Sequence, residues 1–86
     1  MPQVTIGDTV YELDALSEEA QVQLNGLQAV DRRIDGIHSE LAILRASPYL
    51  HGADRRMAYL QEDLSILETA RRAYDRALKE ELDGEA

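Results

Sequence analysis

The sequence contains no cysteine, and none of its apolar runs approaches the roughly 20 residues that a membrane span needs. Without cysteine, neither a disulfide framework nor a thiolate zinc site can form, and nothing requires an oxidising compartment. The first residues also lack the basic-then-apolar order of a signal peptide. We therefore expect a cytoplasmic protein that makes no contact with a membrane.

Positive charge is scarce as well, because 9 lysines and arginines stand against 17 aspartates and glutamates and give a net charge of −8. A chain with this excess of negative charge repels long polyanions, so we expect no role in holding DNA or RNA. The 5 glycines are scattered and form no loop that could cradle a phosphate. The 86 residues suffice for one small domain, residues 1–86, with a modest core.

Charge is segregated along the chain. Residues 45–60, which we call the tip, contain three arginines and one aspartate and carry +2, which leaves −10 on the rest of the chain. The tip lies where two long helical patterns meet. This position and this charge make it the best candidate for a binding site.

A β-hairpin is predicted within residues 1–13, with strands over residues 3–6 and 9–13. Gly7 at the first central position of the turn suits a type II′ turn, which pairs Ile6 with Thr9. This register gives the hairpin one apolar face, made of Val4, Ile6, Tyr11 and Leu13. Because a lone hairpin is marginal in water, it must either lie on the helices or join a sheet of another copy.

Two helices account for most of the remaining chain. Ser17 is a candidate N-cap, and the two glutamates after it favour the helix dipole. Pro48 stops the first helix, and Asp54 can cap the second. The predicted segments are a helix over residues 17–46, a tip loop over 47–53, a second helix over 54–82 and a tail over 83–86. Equal lengths and a short connection indicate an antiparallel helical hairpin, so the expected fold class is mainly α.

Apolar residues recur at three- and four-residue steps along both helices. The first helix has Ala20, Leu24, Leu27, Val30, Ile34, Ile37, Leu41 and Leu44. The second has Met57, Leu60, Leu64, Leu67, Tyr74 and Leu78, with an interruption at Arg71. Gly26 and Gly36 each weaken the first helix by about 1 kcal/mol relative to alanine, so packing must hold it.

The second helix has a further apolar stripe beside the first, made of Ile66, Ala70, Ala73 and Ala77. An apolar surface this broad favours more than one neighbouring helix. We therefore expect a homo-oligomer, most simply a dimer that forms a four-helix bundle. The alternative is that alanine is only a good helix former and that this stripe is partly exposed.

Several segments at both ends of the chain resemble a known family. They are residues 4–6, residues 11–20 with Gln23-Leu24, and residues 69–74 followed by 77–82. They are similar to a family of short, functionally uncharacterised proteins of bacteria and their phages. The resemblance implies a β-hairpin followed by helices and a bacterial or phage origin, with the host cytoplasm as the location if a phage encodes the chain. It supplies no catalytic residues, and residues 45–60 depart from the family's pattern.

The sequence shows no pattern typical of an active site, so we expect no enzyme and no cofactor. His38 and His51 lie in a helix and in a loop, and no serine occupies a nucleophile-elbow setting. Asp31 and Asp35 share a helix face with His38, at a spacing that resembles half of a carboxylate-bridged metal site. No second motif in the chain completes it. Two copies in a dimer could supply one, but a solvated polar stripe explains the same residues, so we expect no metal.

The arginines fall into two groups when acidic partners on the same helix are counted. Pairs at four-residue spacing in the second helix are Glu68–Arg72, Arg71–Asp75, Arg76–Glu80 and Asp75–Lys79. Arg55 and Arg56 have no acidic residue three or four positions onward, and positive charge in a first turn opposes the helix dipole. A ligand or the acidic flank of another copy must compensate them. Arg45 is favourable at its own helix end.

A helix N-terminus flanked by arginines is a suitable site for an anion, and tyrosine rings offer flat surfaces for a base. The candidate ligand-binding residues are Arg45, Tyr49, His51, Arg55, Arg56 and Tyr59. We therefore expect a non-catalytic homo-oligomer that captures a small anionic, nucleotide-like ligand. With the family resemblance, this becomes a phage sponge that sequesters a host immune signal. The alternative is a protein-interaction or assembly module with no small-molecule ligand.

Overall fold

The computed structural model describes residues 2–47 and 49–85, and the elements follow the predicted order. Strands β1 (Gln3–Ile6) and β2 (Thr9–Glu12) precede a 3₁₀ turn (Leu13–Ala15) and helices α1 (Glu18–Ala46) and α2 (Ala53–Glu85). The molecule is elongated, with dimensions of 53 × 24 × 19 Å. The predicted class is confirmed: a mainly α helical hairpin preceded by a two-stranded β-hairpin.

The β-hairpin has the predicted register, with Ile6 opposite Thr9. Gly7 has a φ angle of 62°, while no described residue other than glycine has a positive φ. A positive φ at Gly7 followed by a negative φ at Asp8 fits a type II′ turn and excludes type I′, which needs both to be positive. The turn chemistry read from the sequence is therefore confirmed.

The β-hairpin lies on the helices of its own chain. Its four predicted apolar residues pack against the buried residues at one end of the helix pair. The second strand is one residue shorter than predicted, because Leu13 starts the 3₁₀ turn and its N–H donates to the carbonyl of Pro2 at 3.0 Å. That turn redirects the chain toward α1.

Helix α1 starts as the sequence predicts. The Oγ of Ser17 accepts a hydrogen bond from the N–H of Ala20 at 3.1 Å, which satisfies one of the free donors of the first turn. The helix ends at Ala46, also as predicted. Pro48, to which the prediction assigned this end, lies outside the described residues.

Helix α2 starts one residue earlier than predicted. The carbonyl of Gly52 accepts from the N–H of Arg56 at 2.9 Å, so the helical ladder already includes Ala53. Asp54 therefore lies inside the first turn and does not cap the helix from outside. Gly52 itself has a φ of 78°, a conformation that suits glycine in a tight connection.

Helix α2 also continues past its predicted end at residue 82. Residues 83–85, assigned to a tail, are helical, and Ala86 lies outside the described residues. Leu78 is fully buried and Leu82 packs against the same cluster, which holds the last turns on the β-hairpin end. A glycine at position 84 costs a helix only about 1 kcal/mol, which is too little to end it.

The two helices share two separate apolar clusters. The cluster near the β-hairpin contains Leu16, Ala20, Leu24, Leu27 and Leu78, and the cluster near the tip contains Ile37, Leu41 and Leu60. Between them Arg71 interrupts the apolar stripe of α2 and donates to Asp31 of α1. Contacts pair rising residue numbers in α2 with falling numbers in α1, so the helices are antiparallel.

Candidate functional site

Arg56 in the first turn of α2 forms a bidentate ion pair with Glu40 of α1. The Nε to Oε2 distance is 2.5 Å and the Nη2 to Oε1 distance is 3.1 Å. The hydrogen bond from Arg56 lowers the pKa of Glu40 from its usual value, and the same bond raises the pKa of Arg56. A carboxylate of the same chain therefore provides the compensation that the sequence left open for Arg56.

Two further ion pairs connect the helices. Arg71 Nε lies 2.6 Å from Asp31 Oδ1, and Arg33 Nη2 lies 3.9 Å from Asp63 Oδ2. The predicted pairing of Arg71 with Asp75 is thus wrong. Arg71 occupies a position in the apolar stripe of α2, so its side chain meets the facing helix before it reaches a neighbour on its own helix.

The same-helix pairs predicted for α2 are mostly not formed. Lys79 Nζ lies 2.9 Å from Asp75 Oδ2, which confirms that pair. Across residues 49–85, Glu68–Arg72 and Arg76–Glu80 are not in ion-pair contact. Arg72 instead donates to the hydroxyl of Thr69 at 3.2 Å. Exposed pairs of this kind are weak, because side-chain entropy and solvent screening offset their attraction.

The three residues considered for a metal site are either paired with an arginine or exposed to solvent. Asp31 accepts from Arg71, while Asp35 and His38 are exposed. In the described parts of the chain, no three side chains of the metal-ligating types are grouped so that they could hold an ion.

The six candidate ligand residues do not converge on one pocket. All six are exposed, and Tyr49 is 98% accessible to solvent. A shallow hollow of about 350 Å³ at the tip is lined by Ala46, Ser47, Tyr49 and Leu50. None of the arginines lines it. The positive charge and the flat apolar surface predicted for one ligand are therefore separated.

Arg55 differs from Arg56 in having no partner. Within the described residues, its side chain forms no ion pair and no hydrogen bond. It lies in the first turn of α2, where positive charge is unfavourable. Tyr59 follows one turn later on the same face and is 57% exposed. The positive charge of Arg55, unlike that of Arg56, is thus not balanced by a carboxylate of the described residues.

A surface of α2 that faces away from the β-hairpin carries most of the exposed apolar side chains of this helix. We call it the outer face and define it by Tyr59, Ile66, Ala70, Ala73 and Ala77. Tyr59 and Ile66 are 57% and 63% exposed. Each comes three positions after an ion-paired residue, Arg56 or Asp63, and residues three apart are neighbours on a helix surface. Tyr59 and Ile66 therefore lie next to these two ion pairs, on the side away from the contact between α1 and α2. The β-hairpin borders α2 on the other side, at Arg71 and Asp75.

The acidic partners Glu40, Asp31 and Asp63 were not identified from the sequence, although a signal was present. None of the three has a basic residue three or four positions away on its own helix. Counting local partners for the acids, and not only for the arginines, would have marked all three as candidates for contacts between helices.

These features define a small helical hairpin with a β-hairpin at its open end, ion pairs along one flank and an outer apolar face. Comparison of the chain with protein-family models, with curated proteins and with solved structures finds no match. Across the described residues, neither helix contains an apolar stretch long enough to cross a lipid bilayer.

Proposed function

We propose that this protein is a non-catalytic assembly module that associates with a second copy of itself through the outer face of α2. The observation that supports this is the exposure of Tyr59 and Ile66, 57% and 63%, at seven-residue spacing on a helix whose stripe toward α1 is already packed. Large side chains spaced in this way form the seam of helix pairs. Their burial would contribute roughly 25 cal/mol per Å² of apolar surface.

The size of the core supports a second copy as the occupant. A two-helix hairpin of this length has little interior, and its apolar contacts are divided between two small clusters. Pairing two copies would bring the outer faces together and give the four-helix bundle expected from the sequence. The proposal keeps the cytoplasmic location, because a chain without cysteine needs no oxidising compartment.

Sedimentation velocity over a range of concentrations tests the association. The native chain should change from monomer to dimer as concentration rises, and Ile66→Glu should remain monomeric because it places a charge in the seam. Ser65→Glu is the matched control, since it introduces the same side chain at the neighbouring, exposed position off the outer face. A native chain that stays monomeric at its highest soluble concentration overturns the proposal.

A second candidate function is the capture of a small anion at the tip, as the sequence predicts. The observation that favours it is Arg55, which is uncompensated and lies one turn from the exposed ring of Tyr59. A phosphate on Arg55 and a base on Tyr59 would suit a nucleotide-like ligand. The sponge interpretation depends on the resemblance to phage proteins.

Native mass spectrometry of protein purified from cells tests the second candidate, because it reports the subunit number and any retained small molecule together. Ligand capture predicts an added mass that is lost in Arg55→Ala while the oligomer persists. Arg32→Ala, which removes an exposed arginine of α1, should leave the added mass in place. A ligand-free spectrum, together with no thermal stabilisation by a panel of nucleotides, argues against it.

A further inference from the structure

The charges beside the outer face form a pattern in which positions at equal distances on either side of the middle of α2 carry opposite charges. Residues 55, 62, 69, 76 and 83 follow one another at seven-residue spacing along one edge of this face. They are Arg55, Glu62, Thr69, Arg76 and Asp83, and all five are exposed. Thr69 is the midpoint of α2, which spans Ala53–Glu85. Glu62 and Arg76 lie at equal distances on either side of Thr69, and so do Arg55 and Asp83.

We infer that two copies of the chain pair their outer faces antiparallel, with Thr69 of each copy at the two-fold axis. In this register Glu62 of each copy meets Arg76 of the other, and Arg55 of each meets Asp83 of the other. The inference rests on the self-association proposed above and specifies its geometry. It commits to a second copy of this chain because the complementary charges belong to the same helix.

Other arrangements place like charges together. A shift of the antiparallel register by seven residues in one direction sets Arg55 against Arg76 of the second copy. A shift of seven in the other direction sets Glu62 against Asp83. A parallel pair would gather both Arg55 side chains at one end and both Asp83 side chains at the other. Only the register centred on Thr69 matches opposite charges at every charged position of this edge.

The helix dipole supports the same pairing. Arg55 lies near the N-terminus of α2 and Asp83 near its C-terminus, so each charge is unfavourable on its own helix. Antiparallel pairing places Asp83 of one copy beside the N-terminus of the other and compensates both. The carboxylate that Arg55 lacks among the described residues of its own chain is thus available from the second copy.

The apolar side chains are also complementary in size in this register. In an antiparallel helix pair, the residue numbers of two facing seam residues add up to two less than the residue numbers of two facing edge residues. Tyr59 therefore lies opposite Ala77 of the second copy, and Ile66 lies opposite Ala70. At these two positions a large side chain meets a small one, which favours close packing.

Charge exchange between positions 62 and 76 tests the pairing. Glu62→Arg and Arg76→Glu should each raise the dimer dissociation constant by about tenfold or more, because each creates two like-charge contacts. An equimolar mixture of the two variants should form a dimer close to native affinity, since both contacts are then restored. Glu68→Arg, an equal change of charge off the outer face, should leave the dimer unaffected.

Single cysteines introduced into this cysteine-free chain report the register directly. A short bis-maleimide should cross-link Thr69→Cys to itself, whereas Glu62→Cys alone should fail, because its two copies would lie about 21 Å apart. A mixture of Glu62→Cys and Arg76→Cys should cross-link. Self-cross-linking of Glu62→Cys, or a dimer in which Thr69→Cys does not react, overturns the register while self-association stands. If the native chain forms no dimer, both the register and the self-association are overturned.

Discussion

Gly26 of α1 lies directly under the ring of Tyr74 of α2. A Cβ atom added at position 26 would lie 2.7 Å from Cζ and 2.8 Å from Cδ1 of that ring, and closer still to Cε1. At Gly36, ten residues further along the same helix, an added Cβ would meet nothing within 4 Å. The two glycines, which have equal cost as helix residues, therefore play different roles.

Gly26→Ala should destabilise the protein by about 1–3 kcal/mol, because the added methyl group forces the half-buried ring of Tyr74 to move. Gly36→Ala is the matched control and should stabilise it by about 0.5–1 kcal/mol through helix propensity. Urea denaturation at one fixed protein concentration measures both. In a Tyr74→Ala background the penalty of Gly26→Ala should vanish. A destabilisation that persists there would show that the ring is not its cause.

Glu40 predicts a specific pH dependence of stability. Its pKa is lowered in the folded protein, first by the hydrogen bond from Arg56, so its carboxylate form is favoured by folding. That contribution is present above the unfolded value near 4.5 and is lost as pH falls through the lowered folded pKa. Glu40→Gln should therefore be less stable than the native chain at pH 7, and the difference should shrink at about pH 3.

The control for this prediction is Glu68→Gln, which removes an exposed carboxylate without an ion pair among the described residues. Its difference from the native chain should be close to zero at both pH values. An equal loss in both variants at neutral pH would mean that total charge, and not the contact with Arg56, sets the effect.

Leu60 is fully buried in the cluster near the tip, which contains apolar residues of both helices. Leu60→Ala should lower the free energy of unfolding by about 2–4 kcal/mol, the sum of lost burial and an unfilled cavity. Leu50→Ala removes the same atoms from a side chain that is 54% exposed, and should change stability by about 0.5 kcal/mol or less. Chemical denaturation that ranks the two in the opposite order would contradict the assignment of the core.

Local signals in the sequence determined the secondary structure closely. Gly7 at the turn and alternation of apolar residues predicted the register of the β-hairpin, and Ser17 predicted the start of α1. The boundaries of α2 were less accurate, because a helix end depends on what its last turn packs against. Leu82 packs against the β-hairpin end of the molecule, and that contact is not visible in the local sequence.

The ion-pair partners of the arginines were predicted less well than the fold. Counting partners along one helix separated Arg55 and Arg56 from the other arginines, which was useful, but it could not assign a partner from another helix. The distance from Arg56 to Glu40 depends on how two helices are rotated and aligned, and no single helix contains that information. The same limit explains why Asp75 was assigned to Arg71 in place of Asp31.

By itself, then, the sequence determined the helical hairpin, the β-hairpin and the segregation of positive charge at the tip, because each follows from periodicity, turn chemistry and composition. Only the tertiary structure decided which of the two adjacent arginines is compensated. Consecutive residues on a helix point about 100° apart, so Arg56 reaches Glu40 across the interface while Arg55 is exposed beside the outer face.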